Sequence, residues 1–133
     1  MRFIMIYAGP EADAPPSEAE QEAMGAFIGD LAAAGQLLVT DGLKGSDRGV
    51  RIRRSGGRIT RTDGPFTESK EVVGGFAIVE VNSIEEAVSI SERFMSIAGD
   101  GVSEIREMYD APAFGEYRRS EGGVPLSGPS RTA

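Results

Sequence analysis

The chain of 133 residues contains no cysteine and no histidine. Without cysteine it can form no disulfide bond, thiolate nucleophile or thiolate metal site. Without histidine it lacks the commonest general base near neutral pH, the base of the usual catalytic triad, and the imidazole ligand of zinc and haem iron. Carboxylates at DxD or EF-hand spacing are also missing. We therefore expect neither a metal nor a cofactor.

Positive charge and long apolar runs are scarce as well. The chain has 14 Lys and Arg against 21 Asp and Glu, a net charge of −7, which disfavours nucleic acid as a partner because that binding depends on neutralising phosphates. The first apolar run, Phe3 to Ala8, stops at Gly9-Pro10 and is too short for a signal peptide core or a membrane span. We expect a cytoplasmic protein with no membrane partner.

The remaining composition, 40% apolar and 26% charged, is that of one globular domain of ordinary size. Two stretches predict helices with capping boxes: one begins at Ser17 with Glu20 and stops at Gly35, and the other begins at Ser83 with Glu86 and stops at Gly99. Apolar or alternating stretches predict the strands. These are 3–7, 37–43, a hairpin of 50–53 with 58–62, 75–81 and 102–109.

This order of elements predicts an α+β fold, the ferredoxin-like split βαβ arrangement with an inserted β-hairpin. Residues 1–109 would form the domain, and the Gly-, Pro- and Ser-rich residues 110–133 a C-terminal tail. The strands at 3–7 and 75–81 are apolar on both faces, but two helices can cover only one face of a sheet. A second copy of the chain is the simplest cover, so we expect a homodimer; the alternative is that the tail folds back through Phe114 and Tyr117.

The turn Asp63-Gly64-Pro65-Phe66 and the polar run after it form the most function-like segment. Asp63 can accept backbone N–H bonds, Pro65 fixes its φ angle, and Phe66 can anchor the loop in the core. Hydroxyl, acid and amine groups follow just before a central strand, as in many sites built on a rigid loop. An equally simple interpretation is that Asp63 caps a turn and the charged side chains are solvated.

Eight residues are our candidates for a site in this region. If the protein is an enzyme, proton transfer falls to acids and an amine whose pKa is shifted by burial or by neighbours, namely Asp63, Glu68, Lys70 and Glu71. The candidate ligand-binding residues are Phe66, Gly74, Arg51 and Arg53, because Gly74 lets a ligand approach the backbone and arginine matches carboxylate groups.

The segment DGPFTESKE with Gly74-Gly75 after it resembles the signature of the DGPF-domain proteins, a branch of the YCII-related family. The opening Ile6-Tyr7 followed by Glu11, and Gly42-Leu43, are similar too. The resemblance covers about residues 1–109 and implies a dimeric α+β barrel. It also implies a His–Asp pair and lyase-like chemistry on small aromatic or lactone-like compounds, but this chain has no histidine, so only Asp63 has a counterpart.

Six arginines and no acid lie between residues 48 and 61, in the predicted hairpin. Such a basic hairpin can bind an anionic small molecule or an acidic protein surface, or it can be solvated. It has no aromatic side chain that could stack on a base.

Two functions stay open from the sequence. The first is a dimeric protein that binds a small organic acid or aromatic compound and catalyses a lyase or isomerase step by proton transfer. The second is a non-enzymatic regulatory or adaptor protein, linked to transcription in some relatives, that acts through the basic hairpin or the tail.

Overall fold

The structure, a computed structural model, describes residues 1–11 and 14–110, together with the backbone of residues 118–119 and 125–127. Phe114 and Tyr117 lie outside the described residues, so the docking of the tail on the sheet stays a prediction.

Every helix and strand predicted between residues 1 and 110 is present. In chain order the elements are β1 (Arg2–Gly9), α1 (Glu18–Ala33), β2 (Leu37–Gly42), a short 3-10 helix (Ser46–Arg48), β3 (Val50–Ser55), β4 (Arg58–Asp63), β5 (Val72–Glu80), α2 (Ile84–Ala98), β6 (Val102–Glu107), and the short strands β7 (Arg118–Arg119) and β8 (Pro125–Ser127), which pair with each other. The 3-10 helix is an addition that the sequence pattern did not predict.

Both predicted helix caps form. The Ser17 hydroxyl accepts a hydrogen bond from the backbone N–H of Glu20, and the Ser83 hydroxyl accepts one from that of Glu86. Each bond satisfies an N–H group that has no partner within its helix, so each helix starts where its cap stands. Neither described helix combines the length and the apolar composition that a membrane crossing requires.

Four antiparallel strands form the main sheet in the order β2-β5-β1-β6, and the β3–β4 hairpin is a separate two-stranded sheet. This order is compatible with the predicted ferredoxin-like arrangement, in which the strands that precede the helices lie in the centre. The apolar runs in β1 and β5 therefore identified the central strands correctly.

The core lies between the two helices and one face of this sheet. Phe3 of β1 and Val79 of β5 face each other in register and are 1% and 0% exposed. Phe27 of α1 and Ile90 of α2 pack against them. Side chains alternate between the two faces of a strand, so the neighbouring residues point away from both helices.

The second face of the sheet has an apolar centre with no helix over it. Ile4 pairs with Ile78, and Ile6 pairs with Phe76, across β1 and β5. All four are only partly buried in the single chain. This is the face for which the sequence predicted a second cover.

Candidate functional site

A cavity of about 1030 Å³ lies between the helix-facing side of the sheet and the two helices. Its lining is mostly aromatic and aliphatic, and it opens beside the exposed residues Pro15, Pro16 and Glu20 at the start of α1. The sheet contributes Met5, Tyr7, Thr40, Gly74, Ala77 and Ser103, and the helices contribute Met24, Gly25, Phe27, Ile28, Ile90, Ser91 and Phe94.

The cavity exists because α1 packs closely on the sheet only in its second half. Phe27 and Leu31 are its buried residues, whereas its first two turns are exposed. Gly25 faces the cavity, and a Cβ atom at this position would meet nothing within 4 Å. A glycine in a helix interior costs about 0.5–1 kcal/mol relative to alanine. The space at Gly25 therefore stays open at a cost to the stability of α1.

Tyr7 forms a wall of the cavity and is held on several sides. Its hydroxyl donates to the backbone carbonyl of Asp100 at 2.7 Å. Its ring meets Phe94 edge to face, with 5.3 Å between the centroids and 75° between the planes. A Cβ atom at Gly101 would lie 2.8 Å from the Tyr7 hydroxyl, so the backbone approaches this closely only because residue 101 is a glycine.

The Tyr7 hydroxyl is a donor and not a base. Burial raises the pKa of Tyr7, and the negative charges of Asp100 and Glu71 raise it further. Its phenol is therefore protonated at neutral pH. The position of Tyr7 could have been inferred from the alternation Phe3, Met5, Tyr7, which places it on the same face as the core.

A pair of hydroxyls adds a second polar point to the lining. Ser91 of α2, 5% exposed, and Ser103 of β6 are hydrogen-bonded to each other through their Oγ atoms. Such a pair can rearrange to donate to a ligand, because a hydroxyl rotates freely. No pattern in the sequence connects these two residues.

The charged residues of the lining are acidic. Glu20 borders the cavity, and no Lys or Arg does so in the part of the chain that the structure describes. Asp41 also lies at the border, but it pairs with Phe76 in the sheet register, so its carboxylate lies on the uncovered face. An apolar site bordered by a carboxylate disfavours a bound anion, because no positive charge compensates the desolvation of the anion. Within residues 1–11 and 14–110, no group of three acidic side chains could hold a metal ion.

Of the eight residues predicted from the sequence, Gly74 is the one that lines this cavity among the described positions. Asp63 pairs with Arg61 at 2.8 Å, and the two side chains are 72% and 66% exposed. Lys70, Glu71 and Arg53 do not line the cavity either. The structure does not gather the predicted proton-transfer residues around this cavity, and their catalytic role stays a prediction.

Three of the predicted residues do meet, in a clamp on the surface. The Arg51 guanidinium stacks on the Phe66 ring, 3.9 Å from its centroid, and pairs with Glu68 at 2.8 Å. A backbone hydrogen bond, with a smaller contribution from Arg51, lowers the pKa of Glu68. This direction suits a carboxylate that stays ionised and not a general base near neutral pH.

The turn Asp63-Gly64-Pro65-Phe66 is anchored through Phe66, but the anchor differs from the predicted one. Phe66 is buried beside Gly49 and not in the main core. Its N–H donates to the Ser46 hydroxyl at 2.9 Å, and this hydroxyl donates to the Glu11 carboxylate at 2.6 Å. The loop is thus tied to the 3-10 helix and to the segment after β1. We call this set, Glu11, Ser46, Gly64 and Phe66, the loop joint.

In the comparison with family models, the model described as YCII-related domain matches residues 1–111. The comparison with curated proteins finds no match. The matched range contains the whole main sheet, both helices, the cavity and the loop joint.

Gly64→Ala tests the packing of the loop joint. A Cβ atom at this position would lie 1.7 Å from the backbone oxygen of Ser46, so we expect a loss of about 1–3 kcal/mol or more in the free energy of unfolding, measured in urea. The control is Gly29→Ala, where a Cβ atom meets nothing within 4 Å and a gain of about 0.5–1 kcal/mol is expected. Unchanged stability of Gly64→Ala would contradict the packing described above.

The hydrogen bonds of the Glu11 carboxylate predict that the free energy of unfolding depends on pH. Hydrogen bonds from the hydroxyl and the N–H of Ser46 lower the pKa of Glu11 in the folded chain below its ordinary value of 4.5. Because the folded pKa is the lower one, this contribution is complete above the ordinary value and is lost as the pH falls through the folded pKa. The free energy of unfolding, measured in urea between neutral pH and about pH 3, should be lower for Glu11→Gln than for the wild type at neutral pH. The two values should approach each other in acid.

Ser46→Ala provides the matched control for this prediction. In the Ser46→Ala background the pH-dependent effect of Glu11→Gln on stability should shrink, because the hydroxyl donor is gone. A difference between Glu11→Gln and the wild type that stays constant across the pH range would show that the Glu11 carboxylate gains nothing from folding.

Proposed function

The chain belongs to the YCII-related family, and on that premise we propose that it is a homodimeric protein that binds a small uncharged aromatic compound in the cavity between its helices and its sheet. The observation that carries the proposal is the cavity itself. Its volume of about 1030 Å³ is at the upper end of the usual range of small-molecule sites, roughly 300–1,000 Å³.

The chemistry of the lining selects between the ligands that the sequence left open. Rings of Tyr7, Phe27 and Phe94 and the thioethers of Met5 and Met24 border the cavity, and such groups pack well on an aromatic ligand. The Glu20 carboxylate, with no Lys or Arg among the described lining residues, opposes an organic acid. The aromatic compound is therefore favoured over the acid.

Binding, and not catalysis, is what this geometry supports. The four residues predicted to transfer protons do not line the cavity, and the Tyr7 phenol is a donor. A lyase or isomerase step in this cavity would need the carboxylate at its border, Glu20, as the base.

The dimer is supported by the uncovered face of the sheet. Ile4, Ile6, Phe76 and Ile78 form an apolar centre there, and Val39 beside them is 43% exposed. Two such faces packed together bury each other in an isologous interface, which would give the dimeric α+β barrel. The cavities lie on the opposite side of each sheet, so both would stay accessible.

Filling the cavity should abolish binding. In Gly25→Leu the new side chain enters the cavity, whereas in Gly29→Leu, one turn along the same helix, it lies at a position that does not line it. With the neutral fluorescent probe N-phenyl-1-naphthylamine, we expect about tenfold weaker binding for Gly25→Leu and less than about twofold change for Gly29→Leu. Both variants should be at least as stable as the wild type, since leucine favours helix more than glycine does.

Competition against the same probe tests the charge preference of the site. We expect 2-naphthol to displace the probe at about tenfold lower concentration than 2-naphthoate, because the carboxylate would be desolvated beside Glu20 with no Lys or Arg in the described lining to pair with it. Equal binding of the probe by Gly25→Leu and the wild type, or stronger competition by naphthoate, would refute the proposed ligand class.

A charge on the uncovered face should separate the dimer. Light scattering of the wild type should give twice the chain mass of 14.1 kDa. Ile78→Glu, which would bury an unpaired carboxylate between the sheets, should be monomeric. Val88→Glu, on the exposed side of α2, is the matched control and should stay dimeric. A monomeric wild type would rule out the dimer.

A further inference from the structure

The β3–β4 hairpin stands apart from the rest of the described chain. Every residue of both strands is exposed, and the hairpin pairs with no strand of the main sheet. A two-stranded hairpin alone is marginally stable in water. Some further contact is therefore needed to hold it in this form.

The strand register gives the hairpin two different faces. Residues opposite each other share a face, so the pairs Ile52–Arg61 and Arg54–Ile59 lie on one side with Val50. Val50, Ile52 and Ile59 are 49%, 64% and 68% exposed. We call this the aliphatic face.

The opposite face is already occupied in part. It carries Arg51, whose guanidinium covers the Phe66 ring of the loop joint. This contact fixes the base of the hairpin to its own chain while leaving the aliphatic face exposed. Three exposed branched side chains on one side of a surface hairpin are typical of a binding surface and not of a solvated arm.

The charges of the chain also set the hairpin apart from the rest of the protein. Residues 48–61 contain six arginines and no acid. Because the whole chain carries −7, the remaining residues carry −13. Each copy of the chain therefore presents a strongly basic arm and an acidic body.

The outer edge of the sheet offers a surface that matches the aliphatic face. β2 is an edge strand, and Leu38, Val39 and, just beyond it, Leu43 are 50%, 43% and 53% exposed. Asp41 lies among them, exposed, and pairs with no Lys or Arg within the described residues; it accepts a hydrogen bond from the N–H of Gly42. In native proteins an exposed apolar edge strand of this kind is usually covered by another segment or another chain.

We infer that the β3–β4 hairpin is an arm that embraces a second copy of this chain, laying its aliphatic face on the partner's β2 edge with Arg54 against the partner's Asp41. The inference rests on the proposed dimer, which it extends from the sheet face to the sheet edge. Among the described residues of its own chain the hairpin is exposed throughout, and a second copy supplies the matching surface. Strands of six residues reach about 20 Å, enough to extend past a sheet-to-sheet interface.

A second copy is favoured over the other occupants because both surfaces are present on every chain. A two-fold axis then pairs each arm with one edge, and the assembly closes. A nucleic acid would use the arginines of the hairpin but not the aliphatic side chains that alternate with them. The hairpin also has no aromatic residue that could stack on a base.

A charge exchange tests the contact. Arg54→Glu and Asp41→Arg should each weaken the dimer about tenfold or more in sedimentation equilibrium, and the double variant should recover to within about threefold of the wild type. Arg53→Glu is the matched control, because it makes the same charge change on the other face of the hairpin, and it should change dimer affinity less than about threefold. All three positions are exposed, so folding should be preserved.

Cross-linking gives an independent measurement. The chain has no cysteine, so Ile52→Cys together with Leu38→Cys provides two unique thiols. A short bismaleimide should join two chains into a covalent dimer. The same pair with Arg53→Cys in place of Ile52→Cys should cross-link much less.

The outcomes separate this inference from the proposed dimer. If Ile78→Glu is monomeric while Arg54→Glu and Asp41→Arg dimerise as the wild type does, the arm contact is refuted and the sheet-face dimer stands. If the wild type is monomeric, both fail. If Arg54→Glu leaves the dimer intact but abolishes binding of a DNA duplex or of poly-glutamate, the arm serves a different partner and the inference is overturned.

Discussion

The pairing of β1 with β5 is the interaction on which the rest of the structure depends. Phe3 and Val79 are almost fully buried on one side of this pair, and Ile4 with Ile78 lies half-covered on the other. A strand pair that is apolar on both faces needs two covers. The helices supply the first cover, and the second must come from outside the described residues.

The helix cover is itself incomplete, and the cavity is the consequence. α2 contributes Ala87 and Ile90 to the core, whereas α1 contributes Phe27 and Leu31 from its second half and stands away from the sheet in its first. The cavity opens to the surface beside Pro15, Pro16 and Glu20, so it is an accessible pocket and not a void in the core. Gly25 in mid-helix leaves it open, because a side chain at this position would point into it.

Local patterns predicted the fold well and the candidate site poorly. The capping boxes at Ser17 and Ser83 and the apolar runs of β1 and β5 depend on neighbouring residues, so the sequence located both helices and the central strands. The cavity combines residues far apart in the chain, such as Tyr7, Gly25 and Ser91, which only the folded topology brings together. The polar run after Phe66 attracted interest because its residue types look functional, but the structure uses Arg51 and Glu68 there to clamp the hairpin.

The loop joint connects the two surfaces for which roles are proposed. Its Glu11 carboxylate lies in the segment that leads to Pro15 and Pro16 at the mouth of the cavity, and its Phe66 ring carries Arg51 at the base of the hairpin. Ser46 bonds to both sides, to Glu11 through its side chain and N–H and to Phe66 through its hydroxyl. A change that loosens Ser46 would therefore free the cavity mouth and the hairpin base together. The close packing of the turn at Gly64 thus serves position more than chemistry, because it ties the segment that leads to the cavity mouth to the base of the hairpin.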